Sequence, residues 1–111
     1  MKLTEKTKED FNKWMRPDIH SEHRYSELIT NTFEYLPQSM QYGVLVDFFD
    51  SVNIWIELQH YWAMSEWSFE ISKKITYNLG ESIYIEDCIE TRSEARVKAI
   101  EKANEIYNKT K

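Results

Sequence analysis

The chain has 111 residues, of which 41% are hydrophobic and 30% are charged, and its formal net charge is −5. This length predicts one domain spanning residues 1–111, and the five Phe, four Trp and seven Tyr exclude a disordered chain. One cysteine and two glycines exclude a disulfide framework, a cysteine-based zinc site and a glycine-rich phosphate loop, and the apolar runs are far too short to span a membrane.

The first part of the chain predicts helices. Apolar residues recur at helical spacing over residues 4–15, and Pro17 ends this helix because the residue before a proline is pushed out of the helical region. A second helix is expected over residues 26–36, with a strand over 29–33 as the alternative. Residues 37–43 begin with proline and end with glycine, which predicts one short helical turn.

The middle of the chain changes to a period of two and predicts four strands. β-branched and aromatic residues over 44–49 indicate the first strand, and turn-forming residues follow it at 50–53. Alternating apolar and polar residues then indicate strands over 54–58, 67–77 and 83–89. A short hairpin is expected between the last two strands.

A helix is predicted at the end of the chain. Thr91 and Glu94 have the spacing of a capping box, and Glu94 and Lys98 form a favourable pair four residues apart. The element order predicts an α+β fold: an N-terminal helix and a short helix, a four-stranded antiparallel meander, and a C-terminal helix packed on one sheet face. The opposite face is expected to remain solvated. Its predicted acidic residues are Glu57, Glu70 and Glu86.

The negative charge is concentrated in the predicted sheet. Residues 31–90 hold two lysines and ten acidic residues, whereas residues 1–30 are neutral and residues 91–111 carry a net charge of +3. The same middle segment holds twelve of the sixteen aromatic residues. Proteins that bind nucleic acid present clustered Lys and Arg, so this distribution argues against a nucleic-acid partner.

His20 and His23 are the most suggestive metal-binding pair in the sequence. Two histidines three residues apart can share a metal ion, and Glu22 or Glu27 can add an oxygen ligand. No further strong ligand lies nearby, since His60 follows a predicted strand in its apolar-facing register. We therefore expect surface histidines in a polar loop, with no metal site and no cofactor.

Asp47, Asp50 and Glu57 are the acidic residues most suggestive of catalysis. Paired carboxylates serve general acid–base hydrolysis or bind Mg²⁺, but no Lys, Arg or His in this stretch completes a catalytic set. An Asp at the start of a turn also bonds its own backbone. Cys88 lies among acidic residues that raise the pKa of a thiol, which disfavours a nucleophile. No catalytic residue is expected.

Aromatic residues on the strand over 54–58 favour an interaction surface. Trp55 and Tyr61 lie on the side of this strand opposite its isoleucines, together with Glu57. Exposed Trp and Tyr with a polar rim are typical of protein–protein contacts. The alternatives are a homodimer that buries the same face and a covering helix formed by residues 26–36.

Two stretches resemble uncharacterised small proteins encoded by bacteriophages and prophages. The first is Met-Gln-Tyr-Gly-Val at 40–44 with Asp-Phe-Phe-Asp-Ser-Val at 47–52. The second is Glu-Thr-Arg-Ser-Glu-Ala-Arg at 90–96 with Ile-Glu-Lys-Ala-Asn-Glu at 100–105. This resemblance covers roughly the C-terminal two-thirds of the chain. It implies the cytoplasm of a bacterial host cell and favours binding to a host protein, and it assigns no functional residue.

The sequence therefore predicts a non-enzymatic phage or prophage accessory protein that binds a host or phage macromolecule through an acidic, aromatic sheet face. We expect a protein partner and no membrane association. One alternative is a small metal-assisted hydrolase that uses His20, His23 and an acid such as Asp47, and another is a homo-oligomeric structural module. The candidate contact residues are Trp55, Glu57, Tyr61, Glu70 and Glu86.

Overall fold

A computed structural model of the chain describes residues 1–15 and 32–110 and shows an α+β arrangement. In the part of the chain that it describes, every helix falls short of the length or the apolarity that a bilayer crossing requires. The helices are α1 (Glu5–Met15), α2 (Gln38–Ser51) and α3 (Arg92–Thr110), with a 3₁₀ turn at Phe33–Tyr35, and the strands are β1 (Ile54–Tyr61), β2 (Glu66–Thr76) and β3 (Leu79–Ile89).

The predicted strand over 44–49 and the predicted end of a short helical turn at Gly43 are both wrong, because α2 continues from Gln38 to Ser51. Val44, Leu45, Phe48 and Phe49 lie on one side of this helix, and none is more than 6% exposed. Their spacing of one and four residues is helical, so burial of this stripe outweighs the strand preference of Val and Phe. The described residues consequently form three strands and not four.

The three strands form an antiparallel meander in the order β1-β2-β3, which confirms the three later strands of the prediction. β1 and β2 pair in a continuous register from Ile54 opposite Lys73 to Tyr61 opposite Glu66. β2 and β3 pair with three register shifts. These bulges change which side chains of β3 reach each face of the sheet.

The helices cover one face of the sheet. Ile56, Phe69, Ile71 and Ile89 bury their side chains on this face against the apolar side of α3. Small residues on α3 allow its backbone to approach the sheet closely, and each fully buried Ile or Phe contributes about 1.5–3 kcal/mol relative to exposure. The small buried residues of α3 are Ala95, Ala99 and Ala103.

Helix α1 is attached to α3 by polar side chains that the sequence pattern did not indicate. The backbone N–H of Thr4 donates to Asn104 Oδ1 and that of Thr7 donates to Asn108 Oδ1, both at 2.9 Å. The first N–H groups of a helix have no partner within the helix. The two asparagines, one turn apart on α3, therefore satisfy donors at the start of α1.

The beginning of α3 follows the predicted cap. Glu94 N–H donates to Thr91 Oγ1 at 3.1 Å, which satisfies one of the unpaired donors at the helix start. The Glu94 carboxylate lies 3.8 Å from Lys98 Nζ, which confirms the predicted pair. The predicted helix over 26–36 lies partly outside the described residues, and its end forms the 3₁₀ turn at Phe33–Tyr35.

Candidate interaction surface

The sheet face opposite the helices carries the predicted aromatic and acidic residues of β1. Along β1 the buried Ile54 and Ile56 alternate with Trp55, Glu57 and Tyr61, so the predicted division of this strand between two faces is confirmed. Tyr61 is 46% exposed on this side. We call this surface the open face and use for it the residues Trp55, Glu57, Tyr61, Glu66, Glu70 and Ile85; Ser68, in the same register, is buried.

Two acidic side chains stand directly opposite each other on the open face. Glu57 of β1 pairs in register with Glu70 of β2, an arrangement that places Cβ atoms about 4.5–5.5 Å apart. Neither carboxylate forms an ion pair with any residue in the described ranges. Like charges at directly opposed positions destabilise a sheet, so this pair opposes folding.

The Trp55 ring lies across the open face against Gly80. A Cβ atom at Gly80 would stand 2.9 Å from Cζ3 of Trp55 and 3.0 Å from Cε3, which is closer than packing allows. Neither glycine has a positive φ, so the close approach of the ring, and not a turn conformation, requires glycine at this position. Since Trp55 is in β1 and Gly80 in β3, the ring reaches over the central strand.

Glu86 does not belong to the open face, and its sequence-based placement there is wrong. Glu86 pairs with Phe69 on the covered face, and its carboxylate lies 3.4 Å from Lys98 Nζ of α3. The cause is a bulge in β3. Ile89 pairs with Trp67 and Glu86 pairs with Phe69, so three residue steps along β3 match two steps along β2. The same shift places Ile85 on the open face, opposite Glu70, where it is 56% exposed.

Asp47 and Asp50 lie on α2 beside the edge of the sheet. With Val46 of α2 they line a groove of about 450 Å³ whose other wall is the first half of β1, including Trp55 and Glu57, together with Ser72 of β2 and Gly80 of β3. The structure therefore brings the three acids of the sequence analysis into one groove. In the ranges described, no group of three or more His, Cys, Asp or Glu side chains is arranged to hold a metal ion.

His60 packs against aromatic rings, in the covered-face register that the sequence predicted. Its ring stacks on Trp67 with centroids 4.5 Å apart and contacts Trp62 at the same distance. The guanidinium of Arg92, at the start of α3, lies 4.7 Å from the centre of the Trp67 ring. The other candidate ligands, His20 and His23, lie outside the described residues.

Cys88 is exposed at the bulge of β3, with a φ of 62°. The charge of Glu66, followed by a hydrogen bond with the same carboxylate, raises the pKa of the thiol. A raised pKa lowers the fraction of reactive thiolate at neutral pH. This environment agrees with the expectation that Cys88 is not an activated nucleophile.

Comparisons of the chain with protein-family models, with curated proteins and with solved structures give no match. The geometry of the open face and of the adjoining groove therefore carries the functional argument. The relevant features are two opposed carboxylates, exposed apolar side chains beside them and an aromatic ring held over glycine.

Proposed function

We propose that the protein is a non-enzymatic phage or prophage accessory protein that binds a protein partner through the open face. The central contact residues are Trp55, Glu57, Tyr61 and Glu70, and Ile85 replaces Glu86 in the set that the sequence suggested. The phage origin and the bacterial cytoplasm are carried over from the resemblance alone. The binding role rests on the charge and exposure of the open face.

The opposed pair Glu57 and Glu70 is the observation that carries the proposal. Two like charges across a strand pair cost stability, and no described cation offsets the cost. A Lys or Arg of a partner that approaches both carboxylates removes the repulsion and forms charge-assisted hydrogen bonds. The pair is therefore better suited to a cationic partner than to the isolated protein.

The apolar side chains beside the acids complete a typical contact surface. Tyr61 and Ile85 are each about half exposed and lie on either side of the Glu70 strand. Their burial supplies affinity, while the carboxylates select the charge of the partner and accelerate its approach. A basic protein surface, including one that otherwise binds nucleic acid, has the complementary chemistry.

The proposal is tested by quantitative capture from bacterial lysate with immobilised protein. We expect a saturable partner whose retention falls with rising salt and is lost in the variant Tyr61→Ala/Glu70→Gln. Tyr77→Ala is the matched control, because Tyr77 is 85% exposed in the turn between β2 and β3, away from the open-face register. Equal retention by the two variants, or no saturable partner, would contradict the proposal.

Light scattering separates heterologous binding from self-association. A homodimer that buried the open face would place two sets of Glu57 and Glu70 against each other, which is electrostatically unfavourable. We therefore expect the 13.4 kDa mass of a single chain in solution. A dimer that dissociates on Tyr61→Ala substitution would instead assign the open face to contacts between copies.

A further inference from the structure

Within residues 1–15 and 32–110 no strand pairs with the outer edge of β1, and this edge is regular. β1 is the terminal strand of the sheet, and its eight residues pair with β2 without interruption. β3, at the other edge, has three register shifts along its pairing with β2. A regular edge presents a row of backbone donors and acceptors in line, whereas bulges interrupt such a row.

One hydrogen bond identifies which backbone groups of β1 point outward. Lys74 N–H donates to the carbonyl oxygen of Asn53 at 2.9 Å, immediately before the register begins. Hydrogen-bonded and non-hydrogen-bonded pairs alternate in an antiparallel ladder. The backbone groups of Trp55 and Glu57 therefore face β2, and those of Ile56 and Leu58 face outward from the sheet.

The groove of about 450 Å³ lies between α2 and the first half of β1 and extends across the open face to Ser72 of β2 and Gly80 of β3. Val46 adds an apolar side chain to its lining, Asp50 lies on the helix side, and Glu57 lies on the side of the open face. No described strand occupies the edge. An extended chain placed there would contact an acidic side chain on either side of its backbone.

We propose that the outer edge of β1 binds an extended segment of the partner by strand addition, and that this segment carries Lys or Arg next to apolar residues. The inference deepens the proposed function and rests on it. Outward N–H and C=O groups of Ile56 and Leu58 pair with the added backbone, while alternate side chains of the segment reach Glu57 on one face and Asp50 on the other.

Charge complementarity selects this occupant over a second copy of the chain. Pairing two β1 edges would bring a second Asp50 and a second Glu57 into the acidic groove, and like charges repel at such distances. A basic strand relieves the same repulsion. The acids beside the edge thus oppose self-pairing and favour a cationic segment.

Leu58→Pro tests the inference, with Leu58→Ala as its matched control. Proline removes the outward N–H of Leu58 and leaves the bonds to β2 in place, because proline is tolerated on an edge strand when its nitrogen faces away from the sheet. Alanine removes the same side chain and keeps the N–H. The probe is a Lys-Val peptide with the length of β1 and the repeat Lys-Lys-Val-Val, which places Lys on both faces of the added strand. A Glu-Val peptide with the repeat Glu-Glu-Val-Val serves as the charge control.

We expect the Lys-Val peptide to bind, to slow hydrogen exchange at the amides of Ile56 and Leu58, and to bind Leu58→Pro about tenfold more weakly than Leu58→Ala. The Glu-Val peptide should not bind. Absence of amide protection, or equal affinity for the two variants, would overturn strand addition. If strand addition is overturned while capture from lysate still depends on Tyr61 and Glu70, the proposed function of the open face stands without strand addition. If capture does not depend on these residues either, both proposals fail.

Discussion

The two faces of the sheet are built by the same three strands and differ in how their side chains are satisfied. On the covered face Phe69 and Ile71 are almost fully buried, and Glu86 reaches a lysine of α3. On the open face Glu57 opposes Glu70, and Ile85 remains exposed. One face is therefore organised for stability, while the other retains an arrangement that costs stability.

The largest expected contrast comes from replacing one isoleucine on each face with alanine. Ile71 is 0% exposed and Ile85 is 56% exposed, and the two residues lie in neighbouring strands. We expect Ile71→Ala to lower the unfolding free energy by about 2–5 kcal/mol, because it leaves a cavity in a packed core. Ile85→Ala should change it by less than about 0.5 kcal/mol. Urea denaturation measures both; a comparable loss in the two variants would show that the open face is covered in solution.

Gly80→Ala probes the close contact between Gly80 and the Trp55 ring on the open face. The new Cβ would stand 2.9 Å from the Trp55 ring and would force the ring to move. We expect overpacking to lower the unfolding free energy by about 1–3 kcal/mol. This loss outweighs the gain of about 0.4–1 kcal/mol that alanine gives by reducing the conformational entropy of the unfolded chain. Denaturation with tryptophan fluorescence reports both the stability and the displaced ring.

The Trp55→Ala background reverses the sign of this effect. Without the ring, alanine at position 80 meets no obstacle from Trp55, and only the gain through the unfolded chain remains. The double variant should therefore be more stable than Trp55→Ala. A further loss of stability in the double variant would contradict the assignment of Gly80 to close approach.

The sequence pattern assigns residues to the two faces correctly in β1 and incorrectly in part of β3. Strict alternation of Ile54, Ile56 and Leu58 with Trp55 and Glu57 assigns the faces of β1 correctly, because the β1–β2 register is continuous. In β3 the same reasoning fails, since bulges reverse the alternation. Their presence depends on local backbone geometry, including a positive φ at Cys88, that residue types did not indicate.

Two other features, the helix over 44–49 and the role of Gly80, were not predicted from the sequence, for different physical reasons. The stretch over 44–49 has the composition of a strand, yet the spacing of Val44, Leu45, Phe48 and Phe49 also fits a helix, and packing against the sheet decides between them. The role of Gly80 depends on a ring in another strand, and the sequence pattern places this glycine in the hairpin between the last two predicted strands, where a turn and not a close contact accounts for it.

The covered side also contributes to the pH dependence of stability. Tyr107 O–H donates to the Asp10 carboxylate, and this bond holds the pKa of Asp10 below its ordinary 3.8. Burial, assisted by Asp10, raises the pKa of Tyr107 from 10.0 to about 12. The lowered pKa of Asp10 means that its carboxylate stabilises the fold above about pH 4, and this stabilisation is lost as the pH falls and the group is protonated. The raised pKa of Tyr107 means that its neutral phenol stabilises the fold below about pH 10, and this stabilisation is lost between pH 10 and 12.

Tyr107→Phe should therefore make the unfolding free energy depend less on pH, both in the acid range and in the alkaline range. Denaturation midpoints measured from pH 2 to pH 12 test this expectation, with the profile of the unsubstituted protein as reference. Asp10→Asn should remove the whole acid part, including the smaller share that Lys6 contributes from 3.3 Å, whereas Tyr107→Phe should remove only the share of the hydrogen bond. An unchanged profile in Tyr107→Phe would exclude this hydrogen bond as a source of the pH dependence.

The smallest expected effect on stability is the most informative about the open face. Glu70→Lys converts the like-charged pair with Glu57 into an opposite pair, and we expect it to raise the unfolding free energy by about 0.2–1 kcal/mol. Lys73, which stands opposite Glu81 in the same sheet, offers the mirror control: Lys73→Glu creates a like pair and should lower stability by a similar amount.

Stability from denaturation and partner retention are measured on the same samples. A gain in stability that abolishes retention would show that the opposed carboxylates serve binding at the expense of folding, as residues of functional sites often do. A gain with unchanged retention would mean that the repulsion has no role in recognition, and the open-face proposal would lose the observation that carries it.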